Sequence, residues 1–322
     1  MRTPHHPSRQ RGAALLTAMI IVTLVATLAA AMVWQQWRAV QVESAERARA
    51  QSAWILSGAL DFARLILKED LRSGRPTALT EPWATPLAEA RLSTFLAVDK
   101  ANADDGPEAF LSGSIADAQA RYNLTNLVIP RAGAVAASVD PAELQTLERL
   151  CQSVGIETGI ALRIANGLRD AIDGTSAAAP LLPASVAQLT WLGIDAASVQ
   201  ALQPYVVLLG PNVQTPINVN TASQEVLAAV IKGLDLATAE HLVQVRQRTP
   251  FKDIATSFAA QVSGLTLPPG RLDVRSNYFD VRGRLRLVDR VLVERSLVHR
   301  LPTGVVEVMR RERIASLDQV SG

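Results

Sequence analysis

The feature that most constrains this chain is a run of 45 residues, Ala13 to Ser57, without a glycine or a proline. Its first part, Ala13 to Val33, reads AALLTAMIIVTLVATLAAAMV, 21 residues with no charge. A helix of that length and composition spans a bilayer. At 1.5 Å per residue the full run makes a rod of roughly 67 Å, about twice the thickness of a hydrocarbon core. Beyond Gly58 the helical pattern resumes to about Ser73, with Leu56, Leu60, Ala63 and Leu67 recurring at helix spacing.

Charge supports a membrane-directed N-terminus and argues against a nucleic-acid protein. The chain of 322 residues has a formal charge of +2. Arg2, Arg9 and Arg11 supply +3 before the apolar run, so the remainder carries −1. The body therefore has no global electrostatic reason to seek phosphate. Positive charge ahead of the run places the N-terminus in the cytoplasm and the rest outside. The apolar run has three readings. It is a secretory signal cut near Ala29 and Ala31, a plain anchor, or a leader cut on the cytoplasmic side of the run. A secretory signal gives no reason for a helix that continues far past the membrane.

Few residues suit metal or thiol chemistry. Outside the N-terminal His5 and His6, only His241, His299 and Cys151 remain. A Cys/His zinc site needs about four ligands, and an intrachain disulfide needs a second cysteine. Cys151 follows Leu150 on an apolar helix face and reads as a buried hydrophobe. The chain has no G-x-S-x-G, H-E-x-x-H, P-loop or G-x-G-x-x-G motif. We expect a non-enzymatic protein that acts through its surfaces.

The body reads as a sheet interrupted by helices. LSGSIADAQARYNLTNLV, 111–128, is a strand, a turn and the entry to a new region. Three later turns share one punctuation: a helix tail, a glycine, an apolar residue, an acid and a new helix. The glycines are Gly155, Gly193 and Gly233, and each suits a left-handed helix end. Glu157, Asp195 and Asp235 suit the first turn of the following helix. An all-helical region of paired hairpins over about 125–265 follows from this pattern. Asn220 or Thr221 is placed to cap a helix starting near Ala222. The β-branched runs at 278–284 and 286–299 would complete a sheet begun near 110–116.

The junction RQRG/AALLT resembles the leader of type IV pilins and pseudopilins, which prepilin peptidase cuts after the glycine and methylates at the new N-terminus. The resemblance implies cleavage between Gly12 and Ala13. The fifth mature residue is then Thr17, where most of that superfamily has glutamate. Lack of this glutamate marks the minor pseudopilin K (GspK) of type II secretion. The leader, the long helix, SIADAQARYNLTNLV, the helical insert, INVNTA and VRSNYFDVRG occur here in the order found in GspK proteins.

That resemblance implies an α+β, pilin-like fold: a long N-terminal helix on a small antiparallel sheet, with a large all-α domain inserted. The expected divisions are a leader over 1–12, a transmembrane part over 13–33, a periplasmic pilin-like domain over 34–124 and 267–322, and an insert over 125–266. The implied function is that of a minor pseudopilin at the tip of the periplasmic pseudopilus, helping to initiate or limit its assembly. The implied partners are the I- and J-type minor pseudopilins, the major pseudopilin, prepilin peptidase and inner-membrane lipid. The implied topology is a single pass with a periplasmic C-terminal domain.

A rival reading comes from PINVNTASQEVLAAVIKGLDLATAEHLVQVRQRTPF, which resembles the helix-hairpin-helix of periplasmic DNA-uptake proteins. DNA-binding hairpins present backbone N–H groups from a G-x-G turn among basic residues. Here the turn is Gly233-Leu234-Asp235, and cations and acids balance around it. A structural hairpin is the expectation, with no nucleic-acid partner. GspK proteins commonly carry an acidic, tyrosine-bearing loop in the inserted domain, and some bind calcium in that domain. The matching region here reads NGLRDAIDGTSAAAPLLPASVAQL and keeps only Asp170 and Asp173, two aspartates three apart on a helix that read as a solvated face. Calcium wants six or more oxygen ligands, so no calcium and no other cofactor is expected.

Overall fold

The computed structural model describes residues 11–92, 109–131, 133, 136–175, 179–287 and 290–314. Most of the leader, 1–10, lies outside the described residues. Two compact units emerge, 1–55 and 56–322.

Helix α1, Arg11–Arg72, has 62 residues, so about 93 Å of helix at the standard rise. It includes Arg11 and Gly12, so the expected cleavage bond falls in its first turn rather than ahead of it. Gly58 sits inside it without a break, since one glycine costs only about 1 kcal/mol against alanine. In the first unit the apolar side chains of α1 are exposed, from Leu15 at 66% to Val33 at 65%.

In the second unit the sheet has five described strands in the order β1-β2-β9-β10-β11, all antiparallel. They are β1 (Leu87–Arg91), β2 (Ala109–Asp117), β9 (Tyr278–Leu287), β10 (Arg290–Arg300) and β11 (Val306–Ile314). The expected completion of a sheet begun near 110–116 is realised as β2 against β9, with Ile115 opposite Val281 and Asp117 opposite Phe279. The first late run extends to Leu287, which takes Arg286 and Leu287 from the second; the second is a strand over Arg290–Arg300 rather than 286–299, and β1 and β11 add edges beyond the expected strands.

The helix spacing of Leu56, Leu60, Ala63 and Leu67 forms the buried stripe of α1. Leu60, Ala63 and Leu67 pack with Trp83, Phe279, Val281, Val298 and Val306. Trp83 meets Phe279 edge-on at 5.4 Å. Gly113 and Gly283 face each other across β2 and β9 on this side. A Cβ on Gly283 would stand 3.1 Å from the Leu56 side chain. The glycine thus lets the helix lie close on the sheet.

The chain from Ala118 to Asn277 lies between neighbouring strands β2 and β9. It holds α2 (Pro141–Ser153), α3 (Gly159–Asp173), α4 (Ala196–Leu202), α5 (Gln224–Val230) and α6 (Leu236–Arg248). Short strand pairs tie these helices together. Tyr122–Asn123 (β3) pairs in parallel with Val206–Val207 (β6), Val128–Ile129 (β4) antiparallel with Ser138–Val139 (β5), and Ile217–Asn218 (β7) in parallel with Leu272–Asp273 (β8). The region has its own core, with Leu147, Leu150, Ile164, Leu168, Leu227 and Leu242 fully buried. The region is therefore helical with short strands rather than all-helical.

Gly155, Gly193 and Gly233 have φ of 75°, 77° and 87°, the left-handed geometry that their pattern calls for. Asp195 and Asp235 cap α4 and α6 by accepting the N–H of Ser198 and Thr238. Two expectations need correction. Glu157 is not in the first turn of α3, because Thr158 holds the cap position and the helix starts at Gly159. Neither Asn220 nor Thr221 caps a helix. Ser223 caps α5, and the two earlier side chains are used elsewhere.

Candidate functional site: the apolar stem and the polar joint

Two arrangements distinguish this chain: the exposed apolar part of α1, and a buried polar joint where helix, sheet and inserted region meet.

The apolar segment contains three threonines, whose hydroxyls would be costly in hydrocarbon if left unpaired. Each is satisfied within the helix. Thr17 Oγ1 donates to the carbonyls of Ala13 at 3.0 Å and Ala14 at 2.9 Å. Thr23 donates to Met19 and Ile20, and Thr27 to Leu24. Thr17 therefore presents no free hydroxyl donor to its surroundings. This helix is long and apolar enough to cross a membrane.

The joint centres on Asp117, at the end of β2 and 4% exposed. Its Oδ2 accepts from Asn218 Nδ2 at 2.9 Å, Thr221 Oγ1 at 2.6 Å and Ser276 Oγ at 2.6 Å. Its Oδ1 accepts the Gln119 N–H at 2.8 Å. Asn218 Nδ2 also donates to the Thr77 carbonyl at 2.9 Å. Gln119 accepts the Asn277 N–H and donates to the Pro216 carbonyl. Beside it Arg300, 2% exposed, donates to the carbonyls of Leu67 and Ser276, to Thr77 Oγ1, and to Asp70 at 2.6 Å. One connected set of hydrogen bonds thus runs from α1 through β10 and β2 to the inserted region.

SIADAQ supplies Asp117 and Gln119, INVNTA supplies Asn218 and Thr221, and VRSN supplies Ser276 and Asn277. The three motifs are distant in sequence and meet in space. Asn220 bridges to Phe251, accepting its N–H at 2.8 Å and donating to its carbonyl at 2.9 Å. YNLTN has the same purpose at the next loop. Asn123 and Thr125 donate to the Val213 carbonyl, and Asn126 pairs with the Thr215 backbone in both directions. These polar residues pair backbone groups that would otherwise be buried alone. The sequence signal was there: asparagine and threonine concentrated within apolar stretches.

The remaining candidate residues have structural surroundings. Asp173 accepts from Arg131 at 3.0 Å, the Ala137 N–H at 3.1 Å and Thr175 at 2.8 Å. Arg131 in particular holds its carboxyl well below the usual carboxylate range. Asp170 pairs with its neighbour Arg169 instead. The two aspartates are not brought together as ligands, and Asp173 is a loop tie rather than part of a solvated face. Cys151 is buried, which pushes its thiol up to about 11 and keeps it unreactive. His299 stacks on Tyr278 at 4.3 Å, and His241 is exposed on α6.

At the hairpin turn, Asp235 accepts the Thr238 N–H at 2.9 Å and the Thr238 hydroxyl at 2.7 Å. The helix end that a phosphate would use is capped by the chain's own carboxylate. Val226, Leu227, Leu234 and Leu242 of the hairpin pack into the core of the inserted region.

Asp280 carries a pH prediction. Burial alone would raise its pKa, but Arg295, at 2.7 Å, and Arg121 beside it hold it below the ordinary aspartate value. Stability linked to a lowered carboxyl is present above the unfolded pKa of about 4 and is lost as pH falls through the folded value. Asp280→Asn is expected to cost about 2 kcal/mol at neutral pH and to flatten acid sensitivity below about pH 4. Urea midpoints measured across pH check this; parallel curves for the two proteins would refute it.

The comparisons with known proteins agree with this architecture. Two family models, both described as type II secretion system (T2SS) protein K, match residues 120–212 and 217–282. Type II secretion system protein K of Pseudomonas aeruginosa is 30% identical, covering 94% of this chain and 92% of that protein. The protein of the same name from Klebsiella pneumoniae is 31% identical, over 77% and 78% respectively. A chain in the crystal structure of the GspK-GspI-GspJ complex from enterotoxigenic Escherichia coli shares the fold. Its TM-score is 0.59 at 21% identity, covering 84% of this chain and 99% of that one. With an exposed apolar stem, a helix-backed sheet and the matched inserted region, the chain belongs to the type II secretion system protein K family.

Proposed function

We propose that this chain is a minor pseudopilin. It is held in the inner membrane by one pass of α1, and it joins I- and J-type minor pseudopilins at the tip of the periplasmic pseudopilus. The observation that carries this reading is the second face of α1. Phe62 and Leu65 are 57% and 58% exposed and point away from the stripe buried on the sheet. Exposed aromatic and aliphatic side chains on a helix flank suit packing against another helix. The family relationship supplies the kind of partner: the related complex contains GspI and GspJ.

Leader removal by prepilin peptidase between Gly12 and Ala13 is part of this proposal, and so is the absence of a cofactor. The inserted region would cap the filament, since a subunit along its length must accept a neighbour above it and a domain-sized insert stands in the way. Co-purification of the full chain with its I- and J-type partners tests the reading. Phe62→Asp with Leu65→Asp is expected to weaken that association at least about tenfold, two buried contacts of this size being worth over 1.4 kcal/mol. Full retention of both partners by the double variant would overturn it. Mass spectrometry of the mature protein should find a methylated N-terminus at Ala13; an intact Met1 would reduce the stem to a plain anchor.

A further inference from the structure

Immediately after the uncharged segment the chain reads Trp34-Gln35-Gln36-Trp37-Arg38. The two indoles sit one turn apart on one flank of α1, with ring centroids 5.4 Å apart, and are 61% and 55% exposed. Tryptophan pairs a large apolar body with one N–H donor, which suits the boundary between hydrocarbon and headgroups. The 21 residues from Ala13 to Val33 rise about 32 Å, against a hydrocarbon thickness of about 30 Å. With the tryptophans at one boundary, the helix rise places Ala13 at the other.

We propose that Trp34 and Trp37 are an interfacial lipid anchor that sets the depth of the stem, and so holds the Gly12–Ala13 bond at the opposite membrane surface where a peptidase can reach it. This rests on the membrane and leader-cleavage readings above. Three further features fit a lipid environment. The threonine hydroxyls are satisfied inside the helix. Arg38, the first charge after the segment, follows the second indole directly. No acid occurs before Glu43. Sliding the helix by one turn would move the bond by about 5.4 Å, enough to draw it out of the headgroup layer or push it into hydrocarbon.

The test uses the full chain in phosphatidylethanolamine and phosphatidylglycerol vesicles, with lipids brominated either near the headgroup or near the acyl ends. Two variants separate lipid anchoring from packing between stems. W34Y/W37Y keeps an interfacial aromatic with a polar tip; W34L/W37L keeps apolar volume and loses the interfacial preference. The difference between the parent and W34L/W37L isolates these two indoles from Trp54, Trp83 and Trp191. Their fluorescence should be quenched more by shallow bromine than by deep bromine. In cells holding the peptidase, W34Y/W37Y should be trimmed like the parent, and W34L/W37L several-fold more slowly.

Stronger quenching by deep bromine, or no quenching by either, would overturn the proposal. So would normal trimming of the leucine variant with slow trimming of the tyrosine variant, the pattern expected if the rings serve neighbouring stems. A parent that floats with vesicles but is never trimmed fails the cleavage reading and removes the positional role, while the quenching depth still reports on the anchor separately.

Discussion

Replacing Asp117 by alanine is expected to lower the unfolding free energy by about 3 kcal/mol, the largest single-residue effect anticipated here. The carboxylate accepts from Gln119, Asn218, Thr221 and Ser276, and none of these donors is near water. A buried donor left unpaired costs about 1–3 kcal/mol, and among the described residues the Gln119 N–H has Asp117 as its acceptor and no other. Asp117→Asn should cost less, about 1–2 kcal/mol, because its amide turns one accepting contact into a donor facing a donor. The pH behaviour separates this site from Asp280. Burial raises the Asp117 pKa, and its four hydrogen bonds only partly oppose that. Stability linked to it is full below the unfolded pKa of about 4 and declines as pH rises through the folded value, the opposite sense to Asp280. Chemical denaturation of the alanine and asparagine variants checks both statements. An alanine variant within about 0.5 kcal/mol of the parent would show that the joint adds nothing to stability.

The second large effect concerns the inserted region as a whole. Asp117 and Phe279 are direct cross-strand partners, so the chain leaves β2 and returns to β9 at adjacent points. Antiparallel strands in that register can be closed by a two-residue turn. Joining Ala118 to Tyr278 through Asn-Gly is therefore expected to leave a sheet backed by α1, since the cluster around Leu60, Leu67, Trp83 and Phe279 draws nothing from the removed segment. Stability is lost, because Leu297 and Tyr278 give up the cover of Val207, Leu209 and Val213, and Asp117 gives up Gln119, Asn218, Thr221 and Ser276 and must turn to water instead. If the insert caps the filament, the shortened chain should be found along pseudopili or should deregulate their length. Immunogold labelling that still finds it only at the tip, on filaments of unchanged length, would count against capping by bulk.

A long N-terminal helix, a sheet and a helical region between its strands were legible in the residues because they rest on local rules; their pilin-like arrangement was implied by the family resemblance. An uncharged helix run, a stripe at helix spacing, three glycine turns and a pair of β-branched runs each announce themselves within a few residues. Where the reading slipped, a nearer or more distant partner had won. Ser223 took the cap that Asn220 and Thr221 were expected to make, because both were drawn into contacts 31 and 104 residues away in sequence. The short edge strand Leu87–Arg91 holds two alanines and two charges, so nothing in its composition marks a strand; pairing with β2 makes it one. Asp173 resembled a solvent-facing acid until Arg131 and the Ala137 N–H were placed against it.

The sequence by itself determined the elements that local pattern controls: the stem, its uncharged length, the sheet-facing stripe and the helix ends set by left-handed glycines. Only the tertiary structure decided how the motifs are used. Asp117, Asn218 and Ser276 are ordinary polar residues along the chain. They become a joint because folding removes them from water together, and a buried carboxylate stays buried only where its donors converge.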